Sequence, residues 1–168
     1  DRIAIMRDGE IVQVAEPEEI LSNPHDDYVR AFTKDASAAR VFSAATVMDD
    51  PEVLLYRWQG PRVAQAELEH TKREWAFMVD RKHHYLGICT RELVDGLIRK
   101  KEKAIDAGAL VRPEPVSPEV LIEDLFGLVS AESYPLPVTD EEGRLLGVVR
   151  PRKILEALHN PDEEAEDV

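Results

Sequence analysis

Two passages of this chain repeat one pattern, and a repeated supersecondary unit restricts the fold more than any single motif does. Phe77-Met78-Val79-Asp80 leads through a polar turn to Tyr85-Leu86-Gly87-Ile88-Cys89-Thr90. Leu136-Pro137-Val138-Thr139-Asp140 leads through Glu141-Glu142-Gly143-Arg144 to Leu145-Leu146-Gly147-Val148-Val149. Each reads as strand, turn, strand. A helix is expected before each passage, over Val63 to His70 and Glu119 to Ala131, and after each, over Arg91 to Ile105 and Pro151 to His159. In the second copy Val120, Leu121, Asp124, Leu125, Leu128 and Val129 recur at helical spacing, which gathers them on one face. Earlier strands are expected over Val53 to Arg57 and, more weakly, at Val111 with Val116. The unit β-α-β-β-α therefore occurs twice, an α/β (α+β) arrangement in which both copies share one pseudo-symmetric module.

The first 35 residues do not belong to the repeat. Arg2 to Met6 and Ile11 to Ala15 are short apolar runs separated by Arg7-Asp8-Gly9-Glu10, and Asp-Gly supplies the positive φ angles of a tight hairpin turn. Pro17 at a first helical position, with Glu18 and Glu19 in the first turn, predicts a short helix ending before Asn23-Pro24. A second helix over Asp26 to Phe32 places Tyr28, Val29 and Phe32 on one face. A hairpin with two short helices buries too little surface to fold alone and is expected to pack on something else.

Bulk properties exclude several function classes. The 168 residues have room for one ordinary domain or two small motifs sharing a core. With 43% hydrophobic and 33% charged residues and a mean hydropathy of -0.33, the composition is that of a soluble globular protein. A single cysteine, Cys89, permits no intrachain disulfide and no thiolate zinc site, which suits a reducing cytoplasmic setting. No run approaches the roughly 20 apolar residues of a spanning helix, and no signal peptide opens the chain. A net charge of -13 argues against nucleic acid as a partner, because backbone binders cluster Lys and Arg against phosphates. Asp1 runs straight into a strand, so the chain is expected to be a fragment of something longer.

The residues Asp1 to Val14, then Pro17-Glu18-Glu19-Ile20-Leu21, Asn23-Pro24 and Asp27 to Thr33, resemble the end of an ABC ATPase domain, in particular that of glycine betaine/proline-type osmoprotectant importers. The repeat, with apolar-Gly-apolar-apolar closing its third strand, resembles the CBS motif, named after cystathionine β-synthase and usually found in pairs. Such importers commonly carry that pair at the C-terminus of their ATPase, so both resemblances imply one architecture. The expected organisation is an ATPase-domain remnant over 1–35, a linker over 36–50, a first CBS motif over 51–108, a second over 109–160 and an acidic tail over 161–168. No G-x-x-x-x-G-K-[ST] phosphate loop is present, so this fragment is not expected to hydrolyse ATP or to be an enzyme.

CBS pairs often bind adenine nucleotides between motifs, where Gly permits close approach, a hydroxyl meets phosphate or ribose, and a carboxylate holds the ribose. The resemblance points to Gly87, Thr90 and Glu92 in the first copy, Glu92 standing one position early. In the second copy it points to Pro137 and Gly147, with Arg150 in place of the hydroxyl and Lys153 in place of the carboxylate. That half-site is expected to be empty or to suit a phosphate-rich ligand such as cyclic di-AMP, Arg and Lys being phosphate partners; AMP and ATP are the other candidates. A purely structural, dimerising role is the alternative.

Arg99, Lys100, Lys101 and Lys103 form a basic run at the end of the first motif. It reads either as favourable charge near a helix C-terminus or as a contact with an anionic membrane surface, which would respond to ionic strength. The acids of 162–167 read as a solvated tail, alternatively as a competitor for that run. His83 and His84 are adjacent and point apart, which disfavours a shared metal, and Trp58, Trp75, Tyr85 and Phe126 read as core or dimer contacts. The expected function is regulatory. A homodimeric module would report ionic strength or a nucleotide to the ATPase of an osmoprotectant transporter, together with its membrane subunit at the inner face of the membrane, or would serve as a passive dimerisation scaffold.

Overall fold

Strand β1 (Ile3–Arg7) pairs antiparallel with β2 (Glu10–Ala15) around Asp8 and Gly9, whose φ angles are 54° and 85°. Two consecutive positive φ angles are what a two-residue type I′ turn demands. Helix α1 (Pro17–Ser22) begins on its proline, and α2 (Asp27–Thr33) begins after Asp26, whose carboxylate accepts the Val29 N–H at 2.9 Å. Ile5, Ala15, Ile20 and Val29 make a small core. Phe32, expected on the inward face with Tyr28 and Val29, is instead 67% exposed and stacks on Tyr28 at 6.4 Å. These four short elements provide no further layer to cover it. The computed structural model describes residues 1–34, 36 and 38–158; the predicted acidic tail and His159 lie outside them.

A 3-10 turn (Ala38–Arg40) and the short helix α3 (Ala44–Val47) lead into the first copy: β3 (Leu54–Tyr56), α4 (Pro61–Thr71), β4 (Trp75–Val79), β5 (Tyr85–Thr90) and α5 (Arg91–Arg99). The second copy contains α6 (Ile122–Ala131), β6 (Leu136–Thr139), β7 (Leu145–Val149) and α7 (Pro151–Leu158). Helix α5 stops at Arg99 rather than at Ile105. Lys101 has a φ of 59°, and the amides of Lys101 and Glu102 donate to the carbonyls of Ile98 and Leu97. This is a Schellman ending, which satisfies carbonyls a longer helix would have used. Helix α6 starts at Ile122 rather than Glu119, because residues 117–121 are held in a turn, in which Val120 N–H donates to Ser117 O, and then in a bridge from Leu121 to Ser43. The carbonyls of Val120 and Pro118 accept the amides of Ala44 and Ala45, and Ile122 N–H donates to Phe42 O. Its inward face is Ile122, Leu125 and Val129, while Leu128, expected there, is 46% exposed.

In the first sheet β3 runs parallel to β4, and β4 antiparallel to β5. In the second, β6 pairs antiparallel with β7, and Val116 contributes a single parallel bridge to Val138. Each sheet then borrows a residue from the segment leading into the opposite copy: Val111 bridges to Ile88 on β5, and Asp49 to Val148 on β7. Val111 and Val116, read from sequence as one weak strand, thus lie on different sheets. Pro113 and Pro115 between them offer no amide to a ladder.

The two β-turns meet where the copies join. Tyr85 N–H donates to Gly143 O and Leu145 N–H to His83 O, each at 2.9 Å. Phe77, Val79, Ile88, Leu145 and Val148 form the core between the sheets. Separate cores lie under the helices, one around Leu55, Ala64, Leu68 and Val94, the other around Phe42, Ala44, Ile122, Leu125 and Ile154. Burying each such large aliphatic side chain stabilises the fold by about 1.5–3 kcal/mol. No helix among the described residues is long and apolar enough to cross a membrane.

Candidate functional site

The predicted site residues lie at two equivalent junctions, where β5 passes into α5 and β7 into α7. Their glycines serve the crossing segments. A β-carbon on Gly87, whose φ is 139°, would stand 2.8 Å from both Val111 O and Leu110 Cβ. One on Gly147 would stand 3.0 Å from Asp49 O and 2.9 Å from Met48 Sδ. At both positions close backbone approach is needed, and the approaching backbone belongs to this chain.

At the first junction Thr90 caps α5, its hydroxyl accepting the Leu93 N–H at 3.3 Å. The hydroxyl expected to face a ligand therefore already has a helix amide as partner. Glu92, on the first turn of α5, is exposed. Pro137, buried in β6, pairs with Val148, and its carbonyl accepts the Val116 N–H at 2.9 Å.

The second junction is built of charge. Arg150 Nη1 lies 3.1 Å from Asp49 Oδ2, and Lys153 Nζ lies 3.3 Å from Asp49 Oδ1. Arg150 Nη2 is 3.4 Å from Glu52 Oε1, and the other Glu52 oxygen holds Arg73 Nη2 at 2.6 Å. Lys153 continues to Glu156 at 3.6 Å, which Arg152 also meets at 2.6 Å. An alternating chain of cations and carboxylates thus joins the approach to the first copy, the loop after α4, and helix α7. Arg150 Nη2 is buried and makes no hydrogen bond, the contact to Glu52 lacking the geometry. A buried N–H without a hydrogen bond is costly, and the Glu52 carboxylate at 3.4 Å offsets part of that cost by charge. Sequence reasoning singled out Arg150 and Lys153 but missed Asp49 and Glu52. Only the acidic stretch Asp49-Asp50-Pro51-Glu52 marked them, and nothing local ties residue 49 to residue 150.

Two surface grooves exist elsewhere. One of about 290 Å³ lies beside Tyr85, Leu86 and Arg112; the other, of about 450 Å³, is lined by Glu119, Asp140, Glu142 and Arg144 among others. No predicted site residue lines either. Burial pushes the Tyr85 phenol far above its usual range and the Cys89 thiol up to about 11, so that thiol stays protonated near neutrality. The side-chain hydrogen bond from His84 holds the Asp80 carboxyl below its usual value. No group of three or more potential metal ligands exists among the described residues. Trp75 and Tyr85 pack on the inter-sheet core, whereas Trp58 and Phe126, read from sequence as core or dimer contacts, are 55% and 40% exposed. Of the basic run, Arg99 ends α5 while Lys100, Lys101 and Lys103 follow it, all four exposed.

Residues 109–160 match the model of the CBS domain family. The chain is 34% identical over 161 residues to the glycine betaine/proline betaine transport system ATP-binding protein ProV of Salmonella typhimurium, covering 94% of this chain and 40% of the relative. It is 33% identical over 159 residues to the glycine betaine/carnitine transport ATP-binding protein GbuA of Listeria monocytogenes, with the same coverage. The chain thus spans about 40% of the length of these curated relatives. Among solved structures, Staphylococcus aureus OpuCA superposes with a TM-score of 0.58 at 19% identity, over 66% of this chain and 93% of that one. A CBS domain pair/ACT domain protein of Thermotoga maritima superposes with a TM-score of 0.58 at 22% identity, over 74% and 99%. The two sheets with their paired strand-to-helix junctions have the fold of a CBS domain pair, and the homologues of the chain that carries it are ATP-binding subunits of glycine betaine ABC transporters.

Proposed function

We propose that the chain is the regulatory module of an osmoprotectant importer's ATPase subunit, sensing ionic strength or an adenine (cyclic di)nucleotide and mediating dimerisation. Residues 1–35 are then the end of the ATPase domain, and the module works at the cytoplasmic face of the membrane beside the transporter's membrane subunit. The observation that carries this reading is Arg150 Nη2, buried without a hydrogen bond among ion pairs that reach both copies. A phosphate-bearing ligand or a high salt concentration would compete for those pairs and loosen the approach to the first copy, shifting the population of arrangements seen by the ATPase. CBSX2, a CBS pair of the same fold, was solved in complex with AMP, which makes adenine nucleotides the first ligands to try. Calorimetric and thermal-shift titration with AMP, ATP and cyclic di-AMP tests it. Saturable binding that Arg150→Ala weakens supports the ligand site; binding indifferent to Arg150→Ala removes Arg150 from it.

A passive dimerisation scaffold is the second reading. It is favoured by the same junction, where Asp49 and Glu52 already neutralise Arg150 and Lys153. A stable dimer that binds none of the three nucleotides and responds to no salt change would establish it. The exposed run Arg99, Lys100, Lys101 and Lys103, at and just beyond the end of α5, adds a contact with an anionic membrane surface to the sensing reading.

A further inference from the structure

We propose that the turn between β3 and α4 is an aromatic anchor for an anionic lipid surface, continuous with the basic run that follows α5; the proposal rests on the membrane-contact reading above. The turn is closed on itself. Tyr56 N–H donates to Gln59 Oε1 at 2.7 Å, and Gln59 N–H donates to Tyr56 O at 2.8 Å. Arg57 N–H donates to Val79 O at 2.9 Å, which ties the turn to β4. At its tip Trp58 is 55% exposed and stacks on Tyr56 with ring centres 4.6 Å apart. Tyr56 itself packs on the core between the sheets. The indole is thus held outward by a rigid support, with its exposed part in solvent.

A single exposed tryptophan is ordinary on a protein surface. Its surroundings set this one apart. The Arg81 guanidinium stands 5.7 Å from the Trp58 ring centre, and Lys82 follows it in the neighbouring turn. A β-carbon on Gly60 would lie 2.9 Å from Lys103 O, so the basic run passes against the foot of the aromatic turn. Arg81, Lys82, Lys100, Lys101 and Lys103 are exposed and have no salt bridge among the described residues. Of the acids beside them in sequence, Glu102 and Asp80, the latter is engaged by His84. On a chain of net charge -13 this surface is locally cationic. Trp and Tyr sit at headgroup depth at membrane interfaces, and juxtaposed Lys and Arg draw the surface to anionic lipid. With Tyr56 stacked on the indole and Arg81 over it, lipid insertion suits the geometry better than intercalation of a nucleobase.

The test uses intrinsic tryptophan emission of the chain with phosphatidylglycerol and phosphatidylcholine vesicles. Trp58→Ala provides the difference signal, because Trp75, the other tryptophan, packs edge-on against Phe77 and Tyr134. The expected result is a blue shift and quenching by brominated lipid with anionic vesicles, both absent in Trp58→Ala, whose vesicle affinity falls about tenfold. The shift should disappear at high salt and with phosphatidylcholine. Vesicle binding that depends on Lys100 and Lys101 but leaves Trp58 emission unmoved overturns the anchor and leaves the basic-run reading standing. No vesicle binding by either protein overturns both. A Trp58 response to AMP or to another protein in place of lipid also overturns the anchor.

Discussion

Gly87 and Gly147 occupy equivalent positions in the two copies, and a side chain at either would push into a segment arriving from the other half. Gly87→Ala meets backbone at 2.8 Å and must also hold a φ of 139°, so it should destabilise the fold by about 1–3 kcal/mol in urea unfolding. Gly147→Ala should cost less, because its φ is not positive, the Asp49 carbonyl it meets stands at 3.0 Å and the Met48 side chain can move. Gly127, inside α6 with nothing within 4 Å of its added β-carbon, should behave oppositely: Gly127→Ala is expected to stabilise by about 0.5–1 kcal/mol. Asp80 supplies a pH signature. Its carboxyl is lowered from 3.8 chiefly by the His84 side-chain hydrogen bond. That contribution to stability is therefore fully present above 3.8 and is lost as pH falls through the lower folded value. Unfolding midpoints measured from neutral to strongly acidic pH should fall less steeply in Asp80→Asn than in the parent.

At the scale of elements, local chemistry decides where helices begin and end. Pro17, Pro61 and Pro151 open helices at the first helical position. The hairpin turn and the two strand-turn-strand passages were readable because strand alternation and Asp-Gly or Gly turn residues act over a few positions. The overlong α5 and early α6 expectations failed for opposite reasons. A Schellman cap formed by two lysines and a glutamate, without glycine, ends α5, and long-range hydrogen bonds to Phe42, Ala44 and Ala45 hold the residues before α6 in a turn and a bridge instead of a helix. The ion-pair chain at the β7–α7 junction is also an element-level device. Arg150→Met should destabilise by about 0.5–1 kcal/mol at low salt, because Asp49 keeps Lys153 and Glu52 keeps Arg73 while both lose the cation they share. The gap between parent and variant unfolding midpoints should narrow as salt rises toward about 1 M; a constant gap would show that the pairs are not screened.

Across the whole molecule, the helices leave apolar side chains uncovered. Phe126 and Leu128 on α6 and Leu155 on α7 are 40%, 46% and 61% exposed, on two helices that pack together. A homodimer closing over these helices would remove that surface from water. Leu155→Glu should then shift the sedimentation coefficient toward that of a monomer while secondary structure is kept. An unchanged coefficient would place the contact elsewhere or show the protein to be monomeric. The organisation as a pair was legible because both copies carry the same strand-turn-strand text. Their mutual exchange of bridges, Asp49 to Val148 and Val111 to Ile88, was not, since a single bridge leaves no periodic pattern in sequence.

The sequence by itself determined the repeat, the order of its elements, the hairpin and helices before it, and the positions of the paired glycines, because each depends on residues a few positions apart. The tertiary structure alone decided what those glycines face, that Thr90 caps a helix, that Arg150 and Lys153 meet Asp49, and that Trp58 stands outward beside the basic run. Those outcomes depend on which distant segments share a surface, and Coulombic and packing partners separated by a hundred residues are selected only when the two sheets close on each other.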